Sequence, residues 1–261
     1  MIFYFSAEGN SRYIAEEAGK ILDEEVSSIL SVPAKDSKFQ GKSLGIVFPI
    51  YSWGVPPIVT EYVKSLSDSF VSDLSGKKIW MICTCGDDVG MAPEMLKKTL
   101  ACRGLSLSGG WSLQMPNTYV VLPGFDVDSA PLAHKKLEAS VARIAEIADK
   151  IKNEGFEENY VRGALPRLKT ALVFPLFKRW GINTTKWHAT DACVGCGICA
   201  AACPVSNIKM HRDSAGHLTP RWGSGCISCM ACYHSCPRHA VAYGSITRKK
   251  GQYIFPKSNL R

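Results

Sequence analysis

Eight of the eleven cysteines lie in two runs that share one spacing, so that each cysteine of the first run has a counterpart in the second. In chain order these cysteines are Cys193, Cys196, Cys199 and Cys203, then Cys226, Cys229, Cys232 and Cys236. A 4Fe–4S cluster needs four converging thiolates, and cysteines separated by two residues on a curled loop can aim successive sulfurs at one centre. A proline after each fourth cysteine turns the chain away. The two runs therefore predict electron-transfer chemistry on iron–sulfur clusters.

Other uses of cysteine fit the two runs less well. Structural zinc prefers separated pairs of ligands, often with histidine, and disulfides would need an exported chain. On the repeated spacing, residues 188–245 resemble a bacterial-type two-cluster ferredoxin, which is a small α+β fold. Ile208 and Val241 extend the repeat, since the shift that relates the cysteines also relates these two residues, and we expect both to pack against the clusters.

The resemblance to two-cluster ferredoxins implies two 4Fe–4S clusters and a ligand set for each. In such proteins the fourth cysteine of each run ligates the other cluster. The expected ligands of the first cluster, called cluster I here, are Cys193, Cys196, Cys199 and Cys236. Those of the second, cluster II, are Cys226, Cys229, Cys232 and Cys203. His234 and His239 flank these ligands, and we expect both at the solvated surface rather than tuning a cluster.

A second candidate site follows the apolar run at residues 1–5, which predicts a buried strand. Its residues are Ser6, Ala7, Glu8, Gly9, Asn10 and Ser11, and an amphipathic helix comes next. A strand, a polar loop with glycine and a helix N-terminus together form an anion site, because free backbone N–H groups and the helix dipole favour negative charge. The sequence therefore predicts that a phosphate binds here.

The elements up to residue 152 alternate between strand and helix. Further strands are predicted over residues 26–30, 44–50, 77–85 and 105–115, and helices over residues 57–66, 92–102 and 130–152. This alternation predicts a parallel, doubly wound α/β sheet. In such a sheet, ligands bind at the carboxyl ends of the strands, where the loops meet.

Two more loops are expected beside the phosphate loop. The first consists of Pro49, Ile50, Tyr51, Ser52, Trp53 and Gly54, and the second includes Thr84, Cys85, Gly86, Asp87 and Gly90. An aromatic side chain such as Trp53 can cover a flat ring, although packing on nearby prolines is the alternative. Residues 115–119 follow the last strand, where a structural role is favoured over contact with a ligand.

The first part of the chain resembles the flavodoxins, whose phosphate loop is matched by Ser6, Gly9, Asn10 and Ser11. This resemblance implies FMN, with its phosphate on the loop of residues 6–11 and its isoalloxazine between the loops of residues 49–54 and 84–90. Glu8 departs from the pattern, because flavodoxins usually have threonine there, and a carboxylate would repel the phosphate. Either Glu8 points to solvent or it weakens the binding of FMN.

The charge of the chain is divided unevenly. Residues 1–155 carry a net charge of −3, and residues 156–261 carry +11. A basic surface around the clusters would attract an acidic redox protein, while the alternative is a basic linker and tail that are merely solvated. The basic residues form no motif with interleaved aromatics, so no nucleic acid is expected as a partner.

Three regions follow from these patterns. We expect a flavodoxin-like domain over residues 1–155, a basic linker over 156–187 and a ferredoxin domain with a basic tail over 188–261. The linker is amphipathic, and we expect it to pack on its own domains rather than on a membrane surface. No apolar run is long enough for a membrane helix, and neither a leader peptide nor any export is expected. Eight thiolates that bind iron favour a reducing cytoplasm.

The whole chain resembles the flavodoxin–ferredoxin fusions of anaerobic bacteria and archaea. The resemblance implies an electron-transfer protein that couples one-electron clusters to FMN, which holds one or two electrons. A reductase, in which FMN acts on a small substrate with electrons fed through the clusters, is one alternative. A ferredoxin whose first half binds a partner but no flavin is another, and Glu8 is its best support.

Overall fold

The computed structural model describes residues 1–36, 38–181, 184–212, 214 and 216–256. Its largest sheet has six parallel strands in the order β2-β1-β3-β4-β5-β6. The strands are β1 (Ile2–Tyr4), β2 (Val26–Ser28), β3 (Ser43–Pro49), β4 (Lys78–Cys85), β5 (Gly109–Gln114) and β6 (Glu158–Asn159). The helices are α1 (Asn10–Leu22), α2 (Pro57–Lys64), α3 (Asp68–Asp73), α4 (Ala92–Ala101) and α5 (Ala130–Lys152), with a 3₁₀ turn at Ala34–Asp36. The prediction of a parallel, doubly wound sheet is confirmed.

Helices cover both faces of this sheet. Successive side chains of a strand point to opposite faces, so Met81 of β4 enters one core with Leu96 of α4. Its neighbour Trp80 enters the other core with Ile14 of α1. The strand order reverses between β1 and β3, and the loops that follow these strands therefore meet at the edge where such sheets bind ligands.

Some elements of the first half differ from the predictions. Neither α3 nor the two-residue strand β6 is among the predicted elements, because short segments show little periodicity. Strand β5 begins at Gly109, so the strand predicted over residues 105–115 is too long at its start. A Cβ atom on Gly110 would lie 2.1 Å from the hydroxyl oxygen of Tyr160, which follows β6. Glycine at 110 therefore lets the chain after β6 pack on the sheet.

Within the predicted basic linker, residues 156–187, the described residues as far as Phe177 pack on the first half of the chain. After β6 the chain forms a helical segment, residues 166–181, in which Lys169–Val173 and Phe177–Gly181 wind as π-helix. Pro175 lies between these two stretches and cannot donate a backbone hydrogen bond. The rings of Phe174 and Phe177 are buried, and a Cβ atom on Gly54 would lie 2.3 Å from the Phe174 ring. The segment thus rests on the loop after β3.

The last part of the chain is a small α+β unit. It contains the antiparallel pairs β7 (Trp187–Ala189) with β10 (Val241–Tyr243), and β8 (Ile208–Arg212) with β9 (Leu218–Trp222). A short helix lies at the third cysteine of each run, at Ile198–Ala201 and Ala231–His234. The end of the predicted basic tail, residues 257–261, lies outside the described residues. Within the described ranges, no helix is both long and apolar enough to cross a membrane.

Candidate flavin cavity and iron–sulfur sites

A cavity of about 1360 Å³ opens at the edge where the loops after β1, β3 and β4 meet. Fourteen of the seventeen predicted flavin residues line it, namely Ser6, Ala7, Glu8, Asn10, Ser11, Pro49, Ile50, Tyr51, Ser52, Trp53, Thr84, Cys85, Gly86 and Asp87. The other three, Gly9, Gly54 and Gly90, stand behind the lining, close to Phe255, Phe174 and Trp53 respectively. The structure thus brings the three predicted loops together around one space, which we call the flavin cavity.

The N-terminus of α1 forms the phosphate end of the flavin cavity. Gly9 precedes the helix with a φ of 108°, a conformation that disfavours any side chain, and its N–H donates to Ser6 Oγ at 3.2 Å. The hydroxyls of Ser11 and Thr84 are 2.8 Å apart and join the first loop to the third. The first amides of a 13-residue helix have no partner within the helix. The loop therefore fits a phosphate group.

Glu8 is directed inward rather than to solvent. Its side chain is half-buried, but Oε1 is fully buried and has no hydrogen-bond partner among the described residues. Burial raises the pKa of Glu8 to about 8, against a smaller lowering by its own backbone N–H. A carboxyl group that stays neutral near pH 7 does not repel a phosphate and can donate a hydrogen bond to it. The first of the two expectations for Glu8, that it points to solvent, is therefore wrong.

The ring end of the flavin cavity is shaped by a tight turn. Tyr51 and Gly54 exchange backbone hydrogen bonds of 3.0 and 2.9 Å, which places Ser52 and Trp53 in the left-handed region at φ 44° and 61°. Such backbone is disfavoured for residues with side chains and persists only where the surroundings hold it. Thr170 supplies part of that support, because its hydroxyl donates to the Trp53 carbonyl oxygen at 2.8 Å.

Charged groups near Trp53 are paired. Lys169 lies 5.0 Å from the centre of the Trp53 ring and forms a 2.8 Å ion pair with Asp88, whose side chain is largely buried. Asp87 also lines the flavin cavity. Burial raises the pKa of the Cys85 thiol to about 12, so this residue presents a neutral sulfur to the cavity. The neutral Cys85 thiol and the paired Asp88 limit the negative charge on this wall.

Several further lining residues are not among the seventeen predicted flavin residues. They are Asp88, the loop Met115–Tyr119, Leu122 and Phe125, Val173 and Phe177, and Ser228, Cys229 and Met230. The favoured structural role for residues 115–119 is therefore incomplete, since they edge the cavity. No local pattern marks Val173 or Phe177 as lining, because their position depends on the packing of residues 166–181.

The cysteines form two groups, each around its own cavity. One cavity, of about 350 Å³, is lined by Cys193, Cys196, Cys199 and Cys236, with Val241 beside them. The other, of about 320 Å³, is lined by Cys203, Cys226, Cys229 and Cys232, with Ile208 beside them. The grouping exchanges the fourth cysteine between the runs, which is the exchange that the resemblance to two-cluster ferredoxins implies.

Each group of four cysteines surrounds an open space. Among the described residues, no three side chains of His, Cys, Asp or Glu converge closely enough to hold one metal ion. The cysteines instead surround a space, as the four ligands of a 4Fe–4S cluster must. Backbone amides donate to three of the sulfurs, from Asn207 to Cys203 at 3.2 Å, from Ser228 to Cys226 at 3.3 Å and from Ala240 to Cys236 at 3.2 Å. Such donors stabilise thiolates that ligate iron.

His234 lies in the interior, so its expected place at the solvated surface is wrong. Its side chain is 3% exposed, and burial lowers its pKa to about 4. Nδ1 accepts a 3.1 Å hydrogen bond from the N–H of Tyr253, so the proton lies on Nε2, which donates to the Thr118 carbonyl oxygen at 2.7 Å. His239 is exposed, as expected, and its Nε2 lies 2.7 Å from the Tyr233 hydroxyl.

The end of the chain returns to the phosphate loop. The hydroxyl of Tyr253 donates to Asn10 Oδ1 at 2.7 Å, and Asn10 Nδ2 donates to the Pro116 carbonyl oxygen at 3.0 Å. Phe255 packs on Tyr13 of α1, with ring centres 5.3 Å apart. Gln252 donates to the carbonyl oxygen of Cys236 at 2.9 Å. This tail therefore connects the cluster cavities to the flavin cavity.

Known protein families match both parts of the chain. The model of a flavodoxin domain matches residues 1–118, and that of a 4Fe-4S dicluster domain matches residues 185–241. The chain is a flavodoxin–ferredoxin fusion. A ferredoxin of Pyrobaculum islandicum is 33% identical over 73 residues, which cover 26% of the fusion and 65% of that ferredoxin. The fusion thus spans somewhat less than two thirds of this relative. Its two domains suggest FMN and 4Fe–4S clusters as its cofactors.

Three solved structures resemble part of the fusion at low similarity. A putative flavoprotein of Bacteroides uniformis is 20% identical, with a TM-score of 0.35, and covers 43% of the fusion and 88% of its own chain. The Trp repressor binding protein of Bacillus subtilis is 18% identical, with a TM-score of 0.40, and covers 55% of the fusion and 94% of its own chain. A flavodoxin of Streptococcus pneumoniae TIGR4 is 14% identical, with a TM-score of 0.39, and covers 59% of the fusion and 97% of its own chain. TM-scores this low say nothing further about the fusion.

Proposed function

We propose that the fusion passes electrons between two 4Fe–4S clusters and FMN within one molecule. One observation carries the proposal: Cys229 lines both the flavin cavity and the cavity of the second cysteine group. The same side chain would thus ligate cluster II and form part of the wall around FMN.

The residues named above supply the binding groups. The proposed ligands of cluster I are Cys193, Cys196, Cys199 and Cys236, and those of cluster II are Cys226, Cys229, Cys232 and Cys203. The loop of residues 6–11 would hold the phosphate of FMN, while Trp53 and Tyr51 would lie beside its ring. When bound, the clusters carry electrons singly and FMN holds one or two. Two successive one-electron transfers through the clusters therefore supply the two electrons that FMN takes up on full reduction.

The proposal assigns a role to each region of the chain. Residues 1–155 form the flavin unit, 188–261 the cluster unit, and 156–187 cover the ring end of the flavin cavity through Val173 and Phe177. Covalent linkage keeps the two units at high effective concentration, so transfer does not wait for diffusion. We place the protein in the cytoplasm of an anaerobe, because eight thiolates that bind iron need a reducing compartment.

Anaerobic reconstitution followed by a redox titration tests this function. We expect about eight irons and one FMN per chain, the iron being the content of two 4Fe–4S clusters. Absorption and EPR spectra should show cluster and flavin signals that respond to the same added reductant. A protein that takes up iron but no FMN would contradict the proposal and favour a first half that binds a partner without flavin.

The aromatic rim of the flavin cavity favours a second candidate function, an FMN-dependent reductase of a small substrate. Tyr119 and Phe125 lie at its apolar rim, with ring centres 5.9 Å apart. Sustained turnover of an aromatic or quinone acceptor with FMN bound would establish this function, and its absence with a panel of such acceptors would exclude it.

A further inference from the structure

The second cysteine run is covered by the flavin unit. Cys229 lines the flavin cavity, and its neighbour Ile227 packs on the core that contains strands β1, β3 and β4. Ala231 is 4% exposed. The surface of this run is therefore an interface between the two units of the chain.

The equivalent surface of the first run is exposed to solvent. Val194, Cys196 and Ile198 hold the positions in the first run that Ile227, Cys229 and Ala231 hold in the second. Val194 is 64% exposed, Ile198 is 41% exposed and Cys196 is exposed. The nearby side chain of Leu218, which is 36% exposed, approaches Gly195 and enlarges this apolar surface.

Charge indicates what kind of protein this surface fits. Between residues 186 and 239 the cations are Lys186, Lys209, Arg212, Arg221 and Arg238, and the anions are Asp191 and Asp213. Arg238 is exposed and lines the cavity of the first cysteine group. Within the chain, the basic cluster unit already packs on a flavin unit whose residues 1–155 carry a net charge of −3. A protein with an acidic surface is therefore expected to bind the equivalent, solvent-exposed surface of the first run.

We propose that the face formed by Val194, Cys196, Ile198 and Leu218 is the docking site of an acidic electron-carrier protein, bound as the second run is bound by the flavin unit. The inference rests on the proposed function, because it makes cluster I the outer and cluster II the inner site. Apolar contact at the centre of the face and cations at its rim are the usual anatomy of such interfaces. The rim charges steer the encounter, so binding weakens as salt rises.

Binding of an oxidised, strongly acidic plant-type ferredoxin tests the docking site without any electron transfer. Titration calorimetry at low ionic strength would compare Val194→Glu with Val141→Glu, a matched control on α5 where the valine is 43% exposed. We expect Val194→Glu to weaken binding by about tenfold or more, and Val141→Glu to leave it unchanged. Equal affinity of both variants and the unchanged protein would overturn the proposal, as would equal weakening by both substitutions.

Further measurements separate this inference from the proposed function. Iron and FMN content, and reduction of FMN by methyl viologen, should be the same in Val194→Glu and in the unchanged protein. If Val194→Glu has normal iron content, FMN content and FMN reduction but binds ferredoxin with unaltered affinity, the docking site is disproved and the proposed function stands. If Val194→Glu loses iron, Arg238→Glu provides the test at the rim, with the same expected weakening. Self-association that Val194→Glu abolishes would instead assign the face to a second copy of the chain and overturn the acidic carrier.

Discussion

The two cysteine runs have the same backbone but different side chains and surroundings. Gly195 and Gly197 have φ values of 68° and 77°, and Ser228 and Met230, at the equivalent positions of the second run, have 56° and 63°. A residue with a side chain in this left-handed region costs about 1–2 kcal/mol. Glycine relieves that strain in the run that faces solvent. The run beside the flavin cavity retains it at Ser228 and Met230, which both line the cavity.

The short helices at the third cysteines differ in the same way. Ala200 and Ala201 of the first run correspond to Tyr233 and His234 of the second. His234 binds the loop at Thr118 and the tail at Tyr253, while the Tyr233 hydroxyl donates to the Lys250 carbonyl oxygen at 2.9 Å. The two runs therefore differ in sequence at the positions where the second run contacts the rest of the chain.

The largest expected effect separates two equivalent cysteines. Cys229→Ala and Cys196→Ala should each remove about half of the bound iron, because each removes a proposed ligand of one of two clusters. With reduced methyl viologen, which does not need the docking face at cluster I, only Cys229→Ala should also abolish the reduction of FMN through cluster II, since Cys229 lines the flavin cavity. Iron analysis and anaerobic stopped-flow absorption would measure both. Equal loss of FMN reduction in the two variants would remove the distinction between an outer and an inner run.

Replacing the buried histidine should destabilise the whole molecule. His234→Ala breaks two hydrogen bonds and leaves the Thr118 carbonyl oxygen and the Tyr253 N–H without those partners, at a cost of about 2–5 kcal/mol. Calorimetric unfolding of the reconstituted protein would measure it. His188→Ala is the matched control, because this histidine is exposed and should contribute less than about 0.5 kcal/mol. Similar unfolding temperatures for the two variants would show that His234 does not hold the units together.

Exchanging glycine and methionine between the equivalent positions 197 and 230 should separate backbone strain from FMN binding. Met230→Gly relieves the left-handed backbone and leaves the cysteines in place, but it removes a side chain from the wall of the flavin cavity. We expect unchanged iron content and an FMN affinity lowered by about tenfold, as for loss of one buried apolar contact of about 1.5 kcal/mol. Gly197→Met should lower stability by about 1–2 kcal/mol and leave FMN affinity as it was. Fluorescence titration with FMN and thermal unfolding measure the two effects.

The smallest expected effect concerns Glu8 and depends on pH. With a pKa raised to about 8, this carboxyl is protonated below that pH and becomes an anion beside the phosphate site above it. Glu8→Gln, which is neutral at every pH, should therefore change FMN affinity by less than about twofold at pH 6. At pH 9.5 it should tighten binding by about fivefold, which is about 1 kcal/mol of repulsion removed. Affinities that shift equally at both pH values would mean that Glu8 does not titrate beside the phosphate.

Sequence patterns predict those features that depend on neighbours along the chain. The alternation of strands and helices predicts the sheet, and the ends of its strands predict the three loops of the flavin cavity. The spacing of the cysteines predicts two loops of the same shape, and the known exchange of the fourth ligand predicts which cysteines share a cavity. Each of these follows from local periodicity or from a motif that is short enough to recognise.

The features that sequence patterns do not predict depend on packing between distant segments. His234 is buried because Thr118 and Tyr253 bind it, and neither is near it in the sequence. Phe177 reaches the flavin cavity because residues 166–181 fold back on the loop after β3. Met230 becomes part of the cavity wall through the contact between the two units, for which the cysteine spacing carries no signal. The sequence marks Glu8 as unusual, but its burial depends on the same contact.

The tail also has a consequence for how the protein is made. Asn10 and its partner Tyr253 are 243 residues apart. A ribosome that adds roughly 5–20 residues per second needs on the order of 10–50 s to cover that distance. During this time the flavodoxin domain can fold, but its phosphate loop lacks the partner that orients Asn10. Tight insertion of flavin is therefore expected only after residues 253–255 have been made and pack against the first loop.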